Sequence, residues 1–175
     1  MKMVSINSLA LFPVGASASV ILSTPAFQCL NDVHLKYTNF DNIVKGWKGD
    51  ILGALPMLPA QAALKSSIDS CTTTLKTNYP TVISDQDYNT FNTATDVVYG
   101  DFTTTLNDIN AQKSKFDAAG IAGILLSDLT DIKGSASNLG AAVVGITPAA
   151  NKDVQQTKVN AVSQLFGIVV GNLGS

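Results

Sequence analysis

Residues 84–116, SDQDYNTFNTATDVVYGDFTTTLNDINAQKSKF, carry the longest helical repeat of the chain. The residues that recur at steps of three and four lie on one face of an α-helix; they are Tyr88, Phe91, Thr95, Val98, Phe102, Leu106, Ile109 and Phe116. Ser84 followed by Asp87 resembles a capping box at the helix start. We therefore predict one long amphipathic helix that ends between Asp117 and Gly120.

The same period continues through the chain on both sides of this helix. It predicts a first helix at about 32–47, a second at 57–78, a fourth at 121–145 and a fifth that begins at Thr147-Pro148. The predicted inner face of the fifth helix consists of Val154, Ala161, Leu165, Ile168 and Val169. Because every linker is short, neighbouring helices should be antiparallel. The prediction is an all-α, five-helix up-and-down antiparallel bundle.

The N-terminus is typical of a secretory signal peptide, with Lys2, an apolar stretch over 6–14 and the small residues Ala16-Ser17-Ala18. We predict a signal peptide over 1–18, an N-terminal arm over 19–31 and one helical domain over 32–175. Cleavage after Ala26 is the second choice, and an amphipathic or disordered arm is the alternative. No later stretch reaches about 18 uninterrupted apolar residues, so no transmembrane helix is expected.

The composition excludes several functions. Only 14% of residues are charged, the formal net charge is −2, and the chain contains neither Glu nor Arg. No nucleic acid partner is expected from such a charge balance. The single histidine, His34, is interpreted as a boundary residue of the first helix, and Asp85 and Asp87 as partners of a helix dipole. Without a nucleophile motif or a phosphate loop, we expect no enzyme, no metal site and no cofactor.

Cys29 and Cys71 lie at matching heights if the first two helices fold back about the turn near Asp50. A secreted domain would join them in a disulfide, which closes a long loop. The alternative is two unpaired thiols, with Cys71 serving as a small core residue.

The inner faces differ in size along the chain. The first three helices contribute large residues such as Tyr37 and Trp47, and the last two contribute many Ala and Gly. Small residues either permit close helix packing or leave room for an internal apolar cavity, which is a usual place for a ligand in a bundle. The predicted ligand-binding residues are Phe40, Leu64, Ile68, Thr95, Phe102, Leu125, Leu129, Ser135, Lys158 and Leu165. Thr95, Ser135 and Lys158 are the polar members; ordinary backbone hydrogen bonds, or a lysine stem reaching to water, are the alternative interpretation.

Two segments resemble a known family. Lys115-Phe116-Asp117-Ala118-Ala119-Gly120, followed by Ile124-Leu125-Leu126-Ser127-Asp128-Leu129, is similar to the centre of the fungal cell-wall mannoprotein family, also called the hydrophobic surface-binding protein family. Ala54-Leu55-Pro56, which opens an Ala-rich helix, fits as well. The resemblance extends from about Asp32 to the C-terminus. No Asn-x-Ser/Thr sequon and no lipid-anchor tail of the kind found in some members is present.

The resemblance implies a secreted or wall-associated helical bundle without enzymatic activity. Members are associated with binding fatty acids in an internal cavity, or with adsorbing to hydrophobic surfaces and assisting secreted hydrolases there. The leading hypothesis is therefore a monomeric carrier of a fatty acid or another apolar molecule. The second is a protein that coats hydrophobic surfaces.

Overall fold

The computed structural model describes residues 24–79 and 81–175, and the predicted signal peptide over 1–18 lies outside these residues. The described residues are all-α, as predicted. The helices are α1 Pro25–Gly46, α2 Ile51–Ala54, α3 Met57–Asn78, α4 Asp85–Ala111, α5 Lys113–Ala118, α6 Ala122–Ile146 and α7 Lys152–Leu173, with a 3-10 turn at Ala149–Asn151. Five of them are at least 22 residues long. The short helix α2 is additional to the predicted set, and the predicted long helix that ends between Asp117 and Gly120 is divided at Gln112 into α4 and α5.

The first helix begins earlier than predicted. Thr24 caps α1 by accepting a hydrogen bond from the Phe27 amide at 3.4 Å, and Pro25 occupies the first turn. Ala26, Phe27 and Leu30 are buried in the core. Residues 25–31, which were assigned to an N-terminal arm, therefore belong to the bundle.

The long helices close into a ring. α1 packs against α3 and α4, α3 packs against α6, α6 against α7, and α7 against α4. α1 and α4 are parallel. His34 of α1 contacts Asp101 of α4, and further along both helices Lys45 contacts Asp108. α3 is antiparallel to α1, since Ser67 donates to Asp32 while Cys71 joins Cys29.

The direction of the helices alternates along the chain, but neighbours in sequence are not always neighbours in space. Among the described residues, α3 and α4 do not form one of the main packing pairs with each other. α4 instead lies between α1 and α7. The segment over 81–84 lies at the end of the bundle, where the Ile83 amide donates to the Ile146 carbonyl at 2.9 Å. The expectation that consecutive helices pack antiparallel is therefore wrong for α3 and α4.

The last helix starts later and faces differently than predicted. Thr147 is fully buried and its hydroxyl donates to the Val143 carbonyl at 2.7 Å, so it closes α6 and does not cap α7. The buried residues of α7 are Gln155, Val162, Phe166, Val169 and Leu173. Val154 and Ile168, predicted to point inward, are more than half exposed. A shift of one residue turns a helix by about 100°, which accounts for the error.

The centre of the bundle is filled. Phe102 of α4 contacts the Tyr37 ring at 4.4 Å and the Phe166 ring at 5.7 Å between centroids. The predicted Cys29–Cys71 disulfide is present, with the two Cα atoms 4.9 Å apart. In the described part of the chain, no helix has the length and apolar character needed to cross a membrane.

Candidate functional site

An apolar cleft opens at the end of the bundle where α2 meets the first turns of α3 and α6. Its volume is about 90 Å³. Its floor consists of buried residues, and its rim is largely exposed. The floor is Ala54, Met57, Gln61 and Leu125, and the rim is Ile51, Leu55, Leu58, Ile121 and Ile124.

Helix α2 forms one wall of the cleft and is held by its N-cap. The Asp50 carboxylate accepts a hydrogen bond from the Gly53 amide at 2.6 Å, and the Asp50 carbonyl accepts one from Trp47 Nε1 at 2.7 Å. A Cβ on Gly53 would lie 2.8 Å from Asp50 Oδ2, so a larger residue there would displace the capping carboxylate. Gly49 supplies a positive φ of 97° for the turn that precedes it.

The opposite wall is set by the family-like segment at Phe116–Gly120. Phe116 is fully buried and stacks on Trp47 with centroids 4.6 Å apart. The Ile121 amide donates to the Phe116 carbonyl and the Gly120 amide to the Asp117 carbonyl, while Gly120 has a φ of 70°. This is a Schellman motif, which requires a left-handed residue at the position of Gly120. The motif ends α5 and directs the chain into α6 at the edge of the cleft.

The rim exposes large apolar side chains to solvent. Ile51, Leu55, Leu58 and Ile124 are between 43% and 61% exposed, and the adjoining Leu52 is 77% exposed. Single exposed apolar residues are ordinary, whereas several around one cleft indicate a binding surface. The apolar rim consists of the exposed lining residues Ile51, Leu55, Leu58 and Ile124 together with the half-buried Ile121, and Leu52 adjoins the rim without lining the cleft.

Gln61 is the polar group of the floor. The residue is 2% exposed, and neither Oε1 nor Nε2 has a hydrogen-bond partner among the described residues. Buried amides nearly always have partners, because an unsatisfied one costs about 1–3 kcal/mol. Gln61 therefore gives the cleft an unused donor and an unused acceptor.

None of the lining residues carries a charge. Asp128 lies one turn beyond Leu125 on α6. Its pKa is raised above the usual range, mainly because the carboxyl is partly buried and secondly because the Asp131 carboxylate is near. A cleft of this kind favours apolar chains over ions, because an unpaired charge loses its hydration on entering.

The structure separates the residues predicted to bind a ligand. Leu125 lines the cleft, and Phe102 lines a smaller space of about 20 Å³ between α4, α6 and α7. Most of the remaining members are packed in the core; these are Phe40, Leu64, Ile68, Thr95, Leu129 and Ser135. Leu165 is partly buried against that core.

The three polar members already have partners in different places. Thr95 donates to the Asn92 carbonyl of its own helix at 2.8 Å. Ser135 forms a hydrogen bond with the Asp69 carboxylate of α3. The pKa of Asp69 is lowered by its hydrogen bond with Lys65, which has the larger effect, and by the one with Ser135. Lys158 pairs with Asp96 on α4. The structure does not join these three groups into one polar site.

Sequence reasoning missed α2 and Gln61. The glycines at 46, 49 and 53 favour a turn there, and a helix of four residues is too short to show a period. Gln61 did carry a signal: it stands four residues after Met57 and three before Leu64, which places a polar side chain in a core position.

Comparisons with known proteins agree with this architecture. The model of the family "Hydrophobic surface binding protein A" matches residues 24–145. Among solved structures, Afmp4p in complex with palmitic acid is similar over 89% of this chain and 99% of its own, with a TM-score of 0.78 and 24% identity. Ligand-binding domain 1 of the Penicillium marneffei MP1 protein, complexed with arachidonic acids, covers 87% of this chain and 98% of its own, with a TM-score of 0.80 and 13% identity.

Domain 2 of the same Penicillium marneffei protein, in complex with arachidonic acids, has a TM-score of 0.80 and 14% identity, and covers 86% of this chain and 94% of its own. At these identities the likenesses establish the shared fold. No curated protein sequence matches the chain significantly.

Proposed function

The chain belongs to the hydrophobic surface binding protein A family, and from that premise we propose that it binds the acyl chain of a lipid in the cleft between α2, α3 and α6. The observation that carries this proposal is the combination of a buried apolar floor with an exposed apolar rim. Covering such surface is favourable at about 0.8 kcal/mol for each methylene removed from water. The fatty-acid complexes of Afmp4p and of the MP1 domains support an acyl ligand for this fold.

The size of the cleft determines how a chain would lie. Ligand pockets usually measure about 300–1,000 Å³, and this cleft measures about 90 Å³. It holds only the first part of a long chain, so the remainder would lie along the apolar rim. Uptake into the bundle interior would instead have to displace core residues such as Leu64 and Leu129, which are at most 2% exposed.

The test compares two isoleucines with equal exposure. Ile124 of the rim is 53% exposed and Ile168 of α7, outside the lining of the cleft, is 56% exposed. Ile124→Ser should weaken 1-decanol binding in isothermal titration calorimetry by about tenfold, because two to three methylene contacts are lost. Ile168→Ser should change it less than twofold. Equal effects of the two substitutions would place the binding site elsewhere.

A second function, adsorption to hydrophobic surfaces, is favoured by Leu52. This residue is 77% exposed and does not line the cleft. Leu52→Ser should reduce adsorption to a polystyrene film while leaving 1-decanol affinity unchanged. If both readouts respond equally, rim and cleft act as one site.

We further propose that the protein is secreted, monomeric and without enzymatic activity, as the family suggests. A signal peptide that ends at Ala18 would leave α1 intact, whereas cleavage after Ala26 would remove its Thr24 cap and its Pro25 start. N-terminal sequencing of the secreted protein should begin at Ser19.

A further inference from the structure

Gln61 is the residue of the cleft that has no structural explanation. Its buried amide lowers the stability of the fold unless something pairs with it. An apolar side chain of the same length would pack on the floor beside Met57 and Leu125 without that cost. The position nevertheless carries a glutamine, which lines the cleft and whose two polar atoms have no partner among the described residues.

We propose that the Gln61 amide recognises the head group of the bound lipid, and that the cleft selects an uncharged head with a hydrogen-bond donor beside an acceptor. This inference rests on the proposed function of the cleft. A side-chain amide offers an N–H donor and a carbonyl acceptor a short distance apart. A head group with the complementary pair, such as an alcohol, a primary amide or a protonated carboxylic acid, satisfies both.

Anionic and donor-free heads meet the amide less well. A carboxylate or an ester only accepts hydrogen bonds, so it leaves Gln61 Oε1 unpaired. A carboxylate also arrives without a cation to compensate its lost hydration.

On α3 and α6, the charged residues within one turn of the cleft lining do not supply that cation. Lys65, one turn beyond Gln61 on α3, donates to Asp69 at 2.8 Å. Asp50 caps α2 through the Gly53 amide. Asp128 on α6 is acidic and would repel an anion.

A second buried glutamine shows what the same residue does when its role is structural. Gln155 of α7 is fully buried, and its Nε2 donates to Tyr88 Oη at 3.1 Å and to Asn92 Oδ1 at 2.7 Å; only its Oε1 lacks a partner. Gln155 thus joins α7 to α4, whereas the Gln61 amide has no hydrogen-bond partner in the described part of the chain. The pair provides a matched control.

The experiment measures the affinities of four ten-carbon probes at pH 8 by titration calorimetry: 1-decanol, decanamide, methyl decanoate and decanoate. The wild type should bind 1-decanol and decanamide roughly tenfold more tightly than the other two, as one or two hydrogen bonds predict. Gln61→Met keeps the length of the side chain and should bring the affinities of the three uncharged probes within about twofold, while decanoate stays the weakest because its carboxylate still lacks a cation. The melting temperature of this variant should rise by roughly 2–8 °C, because an unpaired buried amide is removed.

Gln155→Met should lower the melting temperature and leave the order of the four probes unchanged. Gln61→Leu repeats the test with a branched side chain. The inference is overturned if the wild type binds the probes without regard to the head group, or if Gln61→Met still prefers 1-decanol and decanamide over methyl decanoate. If none of the probes binds the wild type, the proposed function fails as well.

Discussion

Some polar atoms of the buried side chains in this protein have hydrogen-bond partners, and others do not. Gln155 donates two hydrogen bonds to α4 through Nε2, whereas neither polar atom of Gln61 has a partner among the described residues. Tyr37 is a second case: its hydroxyl is buried without a partner in the described structure, and burial, followed by the charge of Asp101, raises its pKa well above the usual range. Gln61 lines the cleft and Tyr37 does not, which is why we assign a ligand to Gln61 and not to Tyr37.

Tyr37→Phe tests this distinction. The substitution removes the unpaired hydroxyl and keeps the ring that packs on Phe102. We expect the free energy of unfolding to rise by about 1 kcal/mol, measured by urea denaturation, with 1-decanol affinity unchanged. A loss of stability would mean that the Tyr37 hydroxyl has a partner in solution.

At the scale of elements, the four-residue helix α2 is held by a cap and one indole contact rather than by a helical face. Of its residues only Ala54 is buried, while Ile51 and Leu52 are exposed. Helix α4, by contrast, also starts with a cap, because the Asp87 amide donates to Ser84 Oγ at 3.1 Å, but it is anchored along its length by the core. Removing a cap should therefore reshape α2 and only weaken α4.

Asp50→Ala should lower the free energy of unfolding by about 0.5–2 kcal/mol and weaken 1-decanol binding at least fivefold, because the wall of the cleft loosens. Ser84→Ala is the matched control: it should cost a similar stability and leave binding intact. Calorimetric titration and urea denaturation of both variants provide the comparison. Binding that survives Asp50→Ala would show that α2 is not part of the site.

At the scale of the molecule, three parallel helices, α1, α4 and α7, pack beside α3 and α6, and their side chains fill the middle of the bundle. The cleft at the end of the bundle has a volume of about 90 Å³, whereas the space beside Phe102, between α4, α6 and α7, has about 20 Å³. Stability and binding should therefore depend on different residues.

Leu129→Ala tests whether stability and ligand binding depend on different residues. Leu129 is 2% exposed, so the truncation should cost about 2–5 kcal/mol of unfolding free energy. Because Leu129 does not line the cleft, 1-decanol affinity should change less than twofold. A marked gain in affinity or stoichiometry would instead indicate the internal carrier that the sequence first suggested.

The Cys29–Cys71 disulfide closes a loop of 42 residues between α1 and α3. In the chain-entropy account, such a bridge contributes about 4 kcal/mol. Reduction of the unfolded protein and refolding under reducing conditions should lower the free energy of unfolding by up to that amount. Unchanged stability after confirmed reduction would contradict the estimate.

Local patterns in the sequence were sufficient for much of the fold. The stripe from Tyr88 to Ile109, the cap at Ser84 and the break at Gly120 depend on neighbours within one or two turns, and the structure has them where predicted. The register of Cys29 and Cys71 across a single hairpin was also within reach, because it depends on one turn.

The tertiary structure alone decided which helices are neighbours, which face of α7 points inward, and where the cleft lies. These features depend on contacts between distant segments, such as Ile83 with Ile146, that no local period encodes. Val154 and Ile168 appeared to be core residues because apolar residues occupy more than one face of α7. Gln61 stands in a core position by sequence, and only the packing around it determines that its amide meets a cleft instead of a partner, because a hydrogen bond requires both groups to be placed.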